Sequence, residues 1–317
     1  MLKVRVERKT IEASGVLCFQ LVAEDGGSLP PFEAGSHIDV SVTNDCIRQY
    51  SLCNLRGENA CYRICVKREP AGRGGSAILH DRVHVGSVLT VSEPKNHFPM
   101  VPEAGKSLLF AGGIGVTPII AMAEHLAEHQ ADFEMHYSTR SLSDAAFVQR
   151  LRESRFSDRV WMYHDDDPRS PRLDLPERLR NFRPDTHLYV CGPTGYMDVV
   201  LATARSLGWN ERQLHCEYFS GGSIDTSRDR AFEVVLASSG RVIDVQATQS
   251  IVQALAAEGV MVPVSCEQGV CGTCLTGVLE GEVDHRDLFL LPDEQARNDR
   301  LLPCCSRSMS ERLVLDL

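Results

Sequence analysis

The rhythm of hydrophobic and polar positions changes twice along the chain. Up to residue 102, apolar side chains recur at alternate positions in short runs (3–8, 16–22, 37–42, 61–67 and 88–92), with turn-forming stretches such as EDGGSLPP between them. Successive side chains of a strand face opposite ways, so this rhythm predicts short, half-buried strands. The Gly and Pro punctuation predicts an antiparallel barrel or sandwich. From 103 to 222, strand-like runs (107–111, 133–137, 160–163, 187–190) alternate with helical-period segments (117–128, 143–153, 194–207). That order predicts strand–helix–strand units and a parallel sheet.

The run SGGSIDTSRDR at 220–230 is small and polar, which marks a linker. The last stretch opens with a hairpin-like run, FEVVLASSGRVIDV, and continues with an amphipathic segment at 250–258. A cysteine-rich region and a closing strand, RLVLDL, complete it. The reading is therefore three domains, 1–102, 103–222 and 231–317, with a linker at 223–230.

Composition narrows the function classes. Apolar residues are 43% and charged residues 24% of 317, ordinary values for a folded chain. The net charge of −10 lacks the basic footprint that nucleic acid or an anionic membrane requires. The longest apolar stretch, 107–123, is broken by Gly112, Gly113, Gly115 and Pro118, so no membrane span is expected. The N-terminus, MLKVRVERKT, reads as a strand rather than an apolar leader, and the expectation is a soluble, cytoplasmic protein.

Five of the 12 cysteines crowd the last 52 residues. The other seven are scattered and read as small buried apolar residues. The crowded set runs Cys266-x4-Cys271-x2-Cys274, with Cys304 and Cys305 further on. This is the plant-type [2Fe–2S] spacing. A structural zinc site would pair its ligands as two C-x2-C units or use histidine. Gly269 and Gly272 let the loop CEQGVCGTC wind closely around a cluster. The gap after Cys274 favours Cys304 as fourth ligand and leaves Cys305 to pack.

Two further constellations carry chemistry. Arg48, Gln49, Tyr50, Ser51 and Leu52 lie at a strand edge, followed by Cys65, Val66 and Lys67 and then by Gly72, Arg73, Gly74, Gly75 and Ser76. The glycine turn ending in Ser76 offers N–H groups to a phosphate, Arg48 and Arg73 offer charge, and Tyr50 offers a flat face. Together they point to a phosphorylated aromatic cofactor. In the second stretch, an apolar strand runs into GGIGVTP, with Thr117 placed as N-cap and Pro118 as first helical residue. CGPTGYM, from Cys191, repeats the strand–Gly–Pro–helix device. Neither is the G-x-G-x-x-G fingerprint, but a helix N-terminus there suits a pyrophosphate.

With these motifs in hand, the chain resembles the phthalate dioxygenase reductase and vanillate O-demethylase oxidoreductase family along its full length. RQYSL, GRGGS, GGIGVTPI, CGPTGYM, the EYF at Glu217, Tyr218 and Phe219, and CEQGVCGTC with CCSRS follow the family's order. The resemblance implies an antiparallel flavin barrel and a ferredoxin–NADP reductase-like α/β domain, followed by a β-grasp plant-type ferredoxin domain. It implies FMN rather than FAD, a [2Fe–2S] cluster, and NADH rather than NADPH, although Ser138, Thr139, Arg140 and Ser141 look like a grip for a 2′-phosphate.

By the same carry-over, Arg48, Gln49, Tyr50 and Ser51 line the flavin, with Ser51 near N5. Cys65, Val66 and Lys67 border the ring and ribityl chain, and Gly74, Gly75 and Ser76 hold the phosphate. Thr117 and Phe219 close on the ring, and Gly113, Gly115, Cys191, Gly192 and Pro193 face the nicotinamide nucleotide. Ser51, Thr117 and Cys191 are the implied catalytic-site residues, of which Thr117 and Cys191 position rings rather than react. Cys266, Cys271, Cys274 and Cys304 hold the cluster. His80 is read as a helix-surface residue near the flavin, and His125 and His129 show no metal spacing. The implied partner is a terminal Rieske-type oxygenase. The net −7 of 231–317, from 13 acidic and 6 basic residues, suggests docking on a basic patch. Two other readings are a stand-alone NADH oxidase or diffusible-acceptor reductase, and a non-catalytic redox-sensing module. The ferredoxin-like tail weighs against the first and the intact RQYSL and GGIGVTPI against the second.

Overall fold

The computed structural model describes every residue except 44–45, 55–59, 71, 73 and 222–225. The chain divides into two compact units, Met1–Phe219 and Ser220–Leu317.

The first unit begins with an antiparallel sheet. Its strands are β1 (Leu2–Ala13), β2 (Val16–Ala23), β3 (Ser36–Thr43), β4 (Cys46–Ser51), β5 (Tyr62–Lys67), β6 (Val88–Val91) and β7 (Lys95–Asn96). The order is β4-β3-β6-β1-β2-β5, with β7 on β3. An isolated antiparallel bridge between Leu52 and Ile64 joins the two ends of this path, which removes exposed edges. Alternation puts Val4, Val6, Phe19, Leu21, Ile64 and Val66 into one apolar interior. A short helix, α1 (Gly75–Arg82), follows β5. Only Gly75 and Leu79 of α1 are buried, so no apolar stripe announces it in the sequence.

A five-stranded parallel sheet follows, built from β8 (Lys106–Gly112), β9 (Phe133–Thr139), β10 (Val160–His164), β11 (Thr186–Cys191) and β12 (Leu214–Glu217). Helices α2 (Val116–Glu128), α3 (Val148–Glu153), α4 (Leu175–Leu179) and α5 (Thr194–Ser206) connect the strands. The order β10-β9-β8-β11-β12 grows leftward from β8 and then restarts on its right. The β8 and β11 carboxyl ends therefore flank a topological switch point, where open α/β sheets leave a crevice.

Two local expectations fail here. The helix expected over 143–153 is interrupted. A 3₁₀ turn at Leu142–Asp144 is followed by extended chain, and Phe147 takes φ 61° before α3 starts at Val148. The Phe147 N–H donates to Glu12 Oε1 at 3.1 Å, a tertiary bond that replaces helical pairing. Thr117 and Pro118 also lie inside their helix rather than at its start. A 3₁₀ turn at Gly113–Gly115 leads in, Gly115 takes the cap position in αR geometry, and the Thr117 hydroxyl donates back to the Ile114 carbonyl at 3.0 Å. The glycine turn itself supplies the first helical geometry, so no side-chain cap is used.

The second unit holds β13 (Phe232–Leu236), β14 (Val242–Val245), β15 (Thr276–Glu280), β16 (Val283–Asp284), β17 (Arg300–Leu301), β18 (Arg307–Ser308) and β19 (Arg312–Leu315), with helices α6 (Ile251–Ala257) and α7 (Pro292–Arg297). The main sheet runs β14-β13-β19-β15-β17, with β13 parallel to β19, and β16 pairs β18. Ser250 starts α6 through a capping box with Gln253. Ile251, Ala254 and Leu255 of that helix enter the apolar core of the unit.

Candidate functional site

The flavin-type motif lies on β4. Register places Ser51 opposite His37 and Gln49 opposite Asp39. The Gln49 amide donates to Asp39 Oδ1 at 2.9 Å, and Lys95 donates to Asp39 Oδ2 at 2.7 Å, so both are anchored from the neighbouring strands. Burial pushes the Tyr50 phenol up, so its ring stays neutral. The Ser51 hydroxyl donates to Glu217 Oε2 at 3.1 Å, which joins the barrel to the end of β12. Burial pushes Glu217 up to about 8, and holds the nearby His37 down to about 4. His37 Nδ1 lies 4.0 Å from Glu217 Oε1.

The glycine turn after β5 meets the same strand. Gly74 takes φ 85° and starts α1, and a Cβ added at Gly75 would lie 2.8 Å from Arg48 Cγ. Arg48 thus packs directly on the turn. Ser76 Oγ accepts the Glu69 N–H at 3.0 Å, and His80 Nε2 lies 2.8 Å from the Val66 carbonyl. Arg48 and the start of α1 form a cradle of positive potential that fits a phosphate ester. Arg73 lies outside the described residues. On β5, Val66 faces the barrel interior, Lys67 is exposed, and Cys65 belongs to a different apolar cluster.

At the switch point, two turns touch backbone to backbone. A Cβ on Gly115 would sit 2.2 Å from the Cys191 carbonyl, and one on Gly192 would sit 2.9 Å from Gly112 Cα. Pro193 precedes α5 with no side-chain cap, which leaves first-turn N–H groups for a ligand. Cys191 is fully buried, and burial pushes its thiol well up, so it is a neutral packing group. Thr117 is buried, whereas Phe219, just past β12, keeps 41% of its surface exposed. The structure thus brings the RQYSL and GRGGS motifs together and, separately, the two glycine turns. Glu217 and His37 are the residues whose roles the sequence did not reveal. His37 occupies an unremarkable alternate position of a strand, and only register puts it opposite Ser51.

In the second unit, Cys266, Cys271 and Cys274 are buried in an irregular loop, and Cys304 is partly buried. Glu267, Gly269 and Gly272 have φ of 53°, 73° and 69°, which winds the loop tightly. Gly272 is forced, because a Cβ there would fall 2.3 Å from the Phe289 ring, and one on Gly269 would fall 2.5 Å from Cys305 Sγ. The Gln268 N–H donates to Cys266 Sγ at 3.3 Å, and the Cys271 thiol is pushed up, first by its hydrogen bond with Cys266. Cys305 lies in the apolar core, with Sγ 3.7 Å from the Leu302 carbonyl. The contact of Cys266 with Cys271 and the backbone N–H aimed at Cys266 sulfur suit cluster ligands, although no three of the four tail thiols lie within 4.8 Å of one another here.

Residues 234–309 match the 2Fe-2S iron-sulfur cluster binding domain family. The chain is 47% identical over 317 residues to the vanillate O-demethylase oxidoreductase of a Pseudomonas species, covering 100% of both chains. It is 49% identical over 318 residues to that of Pseudomonas putida, again covering 100% of both. It is also similar to the crystallised phthalate dioxygenase reductase, described as a modular structure for electron transfer from pyridine nucleotides to [2Fe–2S]. There the TM-score is 0.76 and the identity 36%, over 100% of this chain and 98% of that one. The chain belongs to this reductase family. As in its relatives, it is a flavin and iron–sulfur reductase component that takes electrons from NADH through FMN and [2Fe–2S] to a Rieske-type oxygenase. Among the described residues no helix is long and apolar enough to cross a membrane.

Proposed function

We propose that this reductase works in the cytoplasm and serves an oxygenase that demethylates a methoxy-substituted aromatic acid of the vanillate type. Full-length identity of 47% and 49% to two vanillate O-demethylase oxidoreductases carries that reading. When bound, FMN would supply two-electron hydride chemistry and the [2Fe–2S] cluster one-electron transfer.

The residues of this chain divide the remaining work. Arg48, Gly74, Gly75 and Ser76 bind the flavin phosphate. Gln49 and Tyr50 orient the ring, and the β5 backbone at Cys65, Val66 and Lys67 borders the ring and its chain. Ser51 and Thr117 fix the reacting edge, and Phe219 covers it against water. Gly113, Gly115, Cys191, Gly192 and Pro193 let the nicotinamide nucleotide approach closely. Ser51 is already oriented by Glu217, at 3.1 Å, and this contact supports its role as a fixed hydroxyl rather than a free rotor. Cys266, Cys271, Cys274 and Cys304 hold the cluster, and Cys305 packs behind it.

Reconstitution tests the acceptor. The purified chain, loaded with FMN and cluster, should support NADH-dependent demethylation of vanillate by a vanillate oxygenase component. Comparable turnover with a phthalate oxygenase and none with the vanillate enzyme would reject the proposed partner while leaving the reductase role in place.

A further inference from the structure

Three buried cysteines converge in the first unit, one of them Cys65 of the β5 segment that borders the flavin. Cys18 on β2 and Cys65 on β5 are directly opposite each other in the antiparallel ladder. Cys53 follows the Leu52–Ile64 bridge, and its N–H donates to the Arg63 carbonyl at 2.9 Å. Barrel closure therefore delivers a third thiol beside a cross-strand pair. The three sulfurs all lie within 4.8 Å of one another, the one group of three or more His, Cys, Asp or Glu donors so arranged among the described residues. All three residues are buried, at 6%, 0% and 4% exposure for Cys18, Cys53 and Cys65. Their shared cluster is the one formed with α2 and β9, so the thiols point away from the barrel interior.

We propose that Cys18, Cys53 and Cys65 form a three-sulfur site for a soft closed-shell cation of the Cu(I) class. Thiolates select soft ions, and an all-sulfur trio with no fourth His, Cys, Asp or Glu donor grouped with it among the described residues suits trigonal Cu(I) better than zinc, which takes four ligands in structural sites. Basic and acidic side chains both stand nearby, since Arg150 pairs with Glu124 at 3.1 Å and Glu12 lines the same groove as Cys18. Arg150 Nη1 donates to the Cys53 carbonyl at 2.7 Å, and Arg63 neighbours Cys53 through its backbone. An approach path exists, because Cys18 lines a groove of about 1250 Å³ together with Glu12, Arg63 and Arg150. None of the flavin-motif residues on β4 or at the start of α1 lines that groove. Binding is proton exchange without oxidation. Each thiol that ligates releases its proton to water as its bond to the ion forms, and Cu(I) keeps its oxidation state.

The test uses the holoprotein with FMN and cluster in place, so that the cluster cysteines are occupied. Cu(I) is supplied anaerobically and excess removed with a chelator. The expected result is one copper retained per chain, unchanged cluster absorbance, and an X-ray absorption spectrum showing sulfur neighbours only. Cys18→Ala and Cys53→Ala should each lower retention by about tenfold or more, whereas Cys216→Ala, a thiol outside the trio, should not. FMN and iron content verify that each variant is folded. If both misfold, the wild-type spectrum alone decides. No retained copper in the wild type, retention insensitive to Cys18 and Cys53, or a nitrogen- and oxygen-dominated spectrum would overturn the proposal.

Discussion

Ser51 and Glu217 come from the two halves of one unit and meet at 3.1 Å, with the serine hydroxyl donating to the carboxyl group. The serine ends β4 and the glutamate ends β12, so the contact requires both the closed barrel and the completed parallel sheet.

This contact has a pH signature. Burial raises Glu217 from its ordinary value of 4.5 to about 8, so the folded protein holds a proton that the unfolded chain releases. Stability from this group is present below pH 4.5 and is lost as pH rises through 8. The full shift corresponds to roughly 4–5 kcal/mol, but the side chain keeps 14% of its surface exposed, so the measured loss should be smaller. Thermal midpoints taken across this pH range should fall, and Glu217→Gln should flatten the slope. An equal slope in the variant would remove Glu217 as its source.

Gly115→Ala tests the touching turns. Its methyl would lie 2.2 Å from a backbone carbonyl, which cannot move as a side chain can. The expected cost is about 1–3 kcal/mol of stability, with a raised KM for NADH and unchanged FMN content. A variant with wild-type KM would show that the two turns do not shape the nucleotide site.

The tail cysteines should behave differently from each other. Cys304→Ala should lose the cluster, while Cys305→Val, a core position, should keep its iron and lose only some stability. Iron and sulfide analysis of both variants decides between them, and the reverse pattern would make Cys305 the ligand.

Charge bears on docking. Residues 231–317 carry net −7, so turnover with the oxygenase should weaken steeply as salt rises, while reduction of FMN by NADH should not. A flat salt profile would assign that acidity to solubility alone.

Much of this was legible in the sequence, because alternation and helical period are local signals. The β2 and β8–β11 segments, α5 and α6 all lie close to where the pattern puts them, whereas β1, expected over 3–8, runs on to Ala13. The spacing at Cys266, Cys271 and Cys274 was legible because three ligands come from one loop. What the sequence hid depends on distant pairing. Thr117 is drawn inside its helix by a preceding glycine turn, and Phe147 is pulled out of helical geometry by Glu12, 135 residues away. Cys18 and Cys53 read as separate apolar residues, and Cys65 as part of the flavin border, until strand register and barrel closure place the three together.

Electrons leave this reductase through the cluster. Anaerobic rapid mixing of the holoprotein with NADH, followed at flavin and cluster absorbance, tests it most directly. Bleaching of the flavin should come first, with cluster bleaching next and faster than turnover with the oxygenase. A cluster that is reduced more slowly than the oxygenase turns over would contradict it.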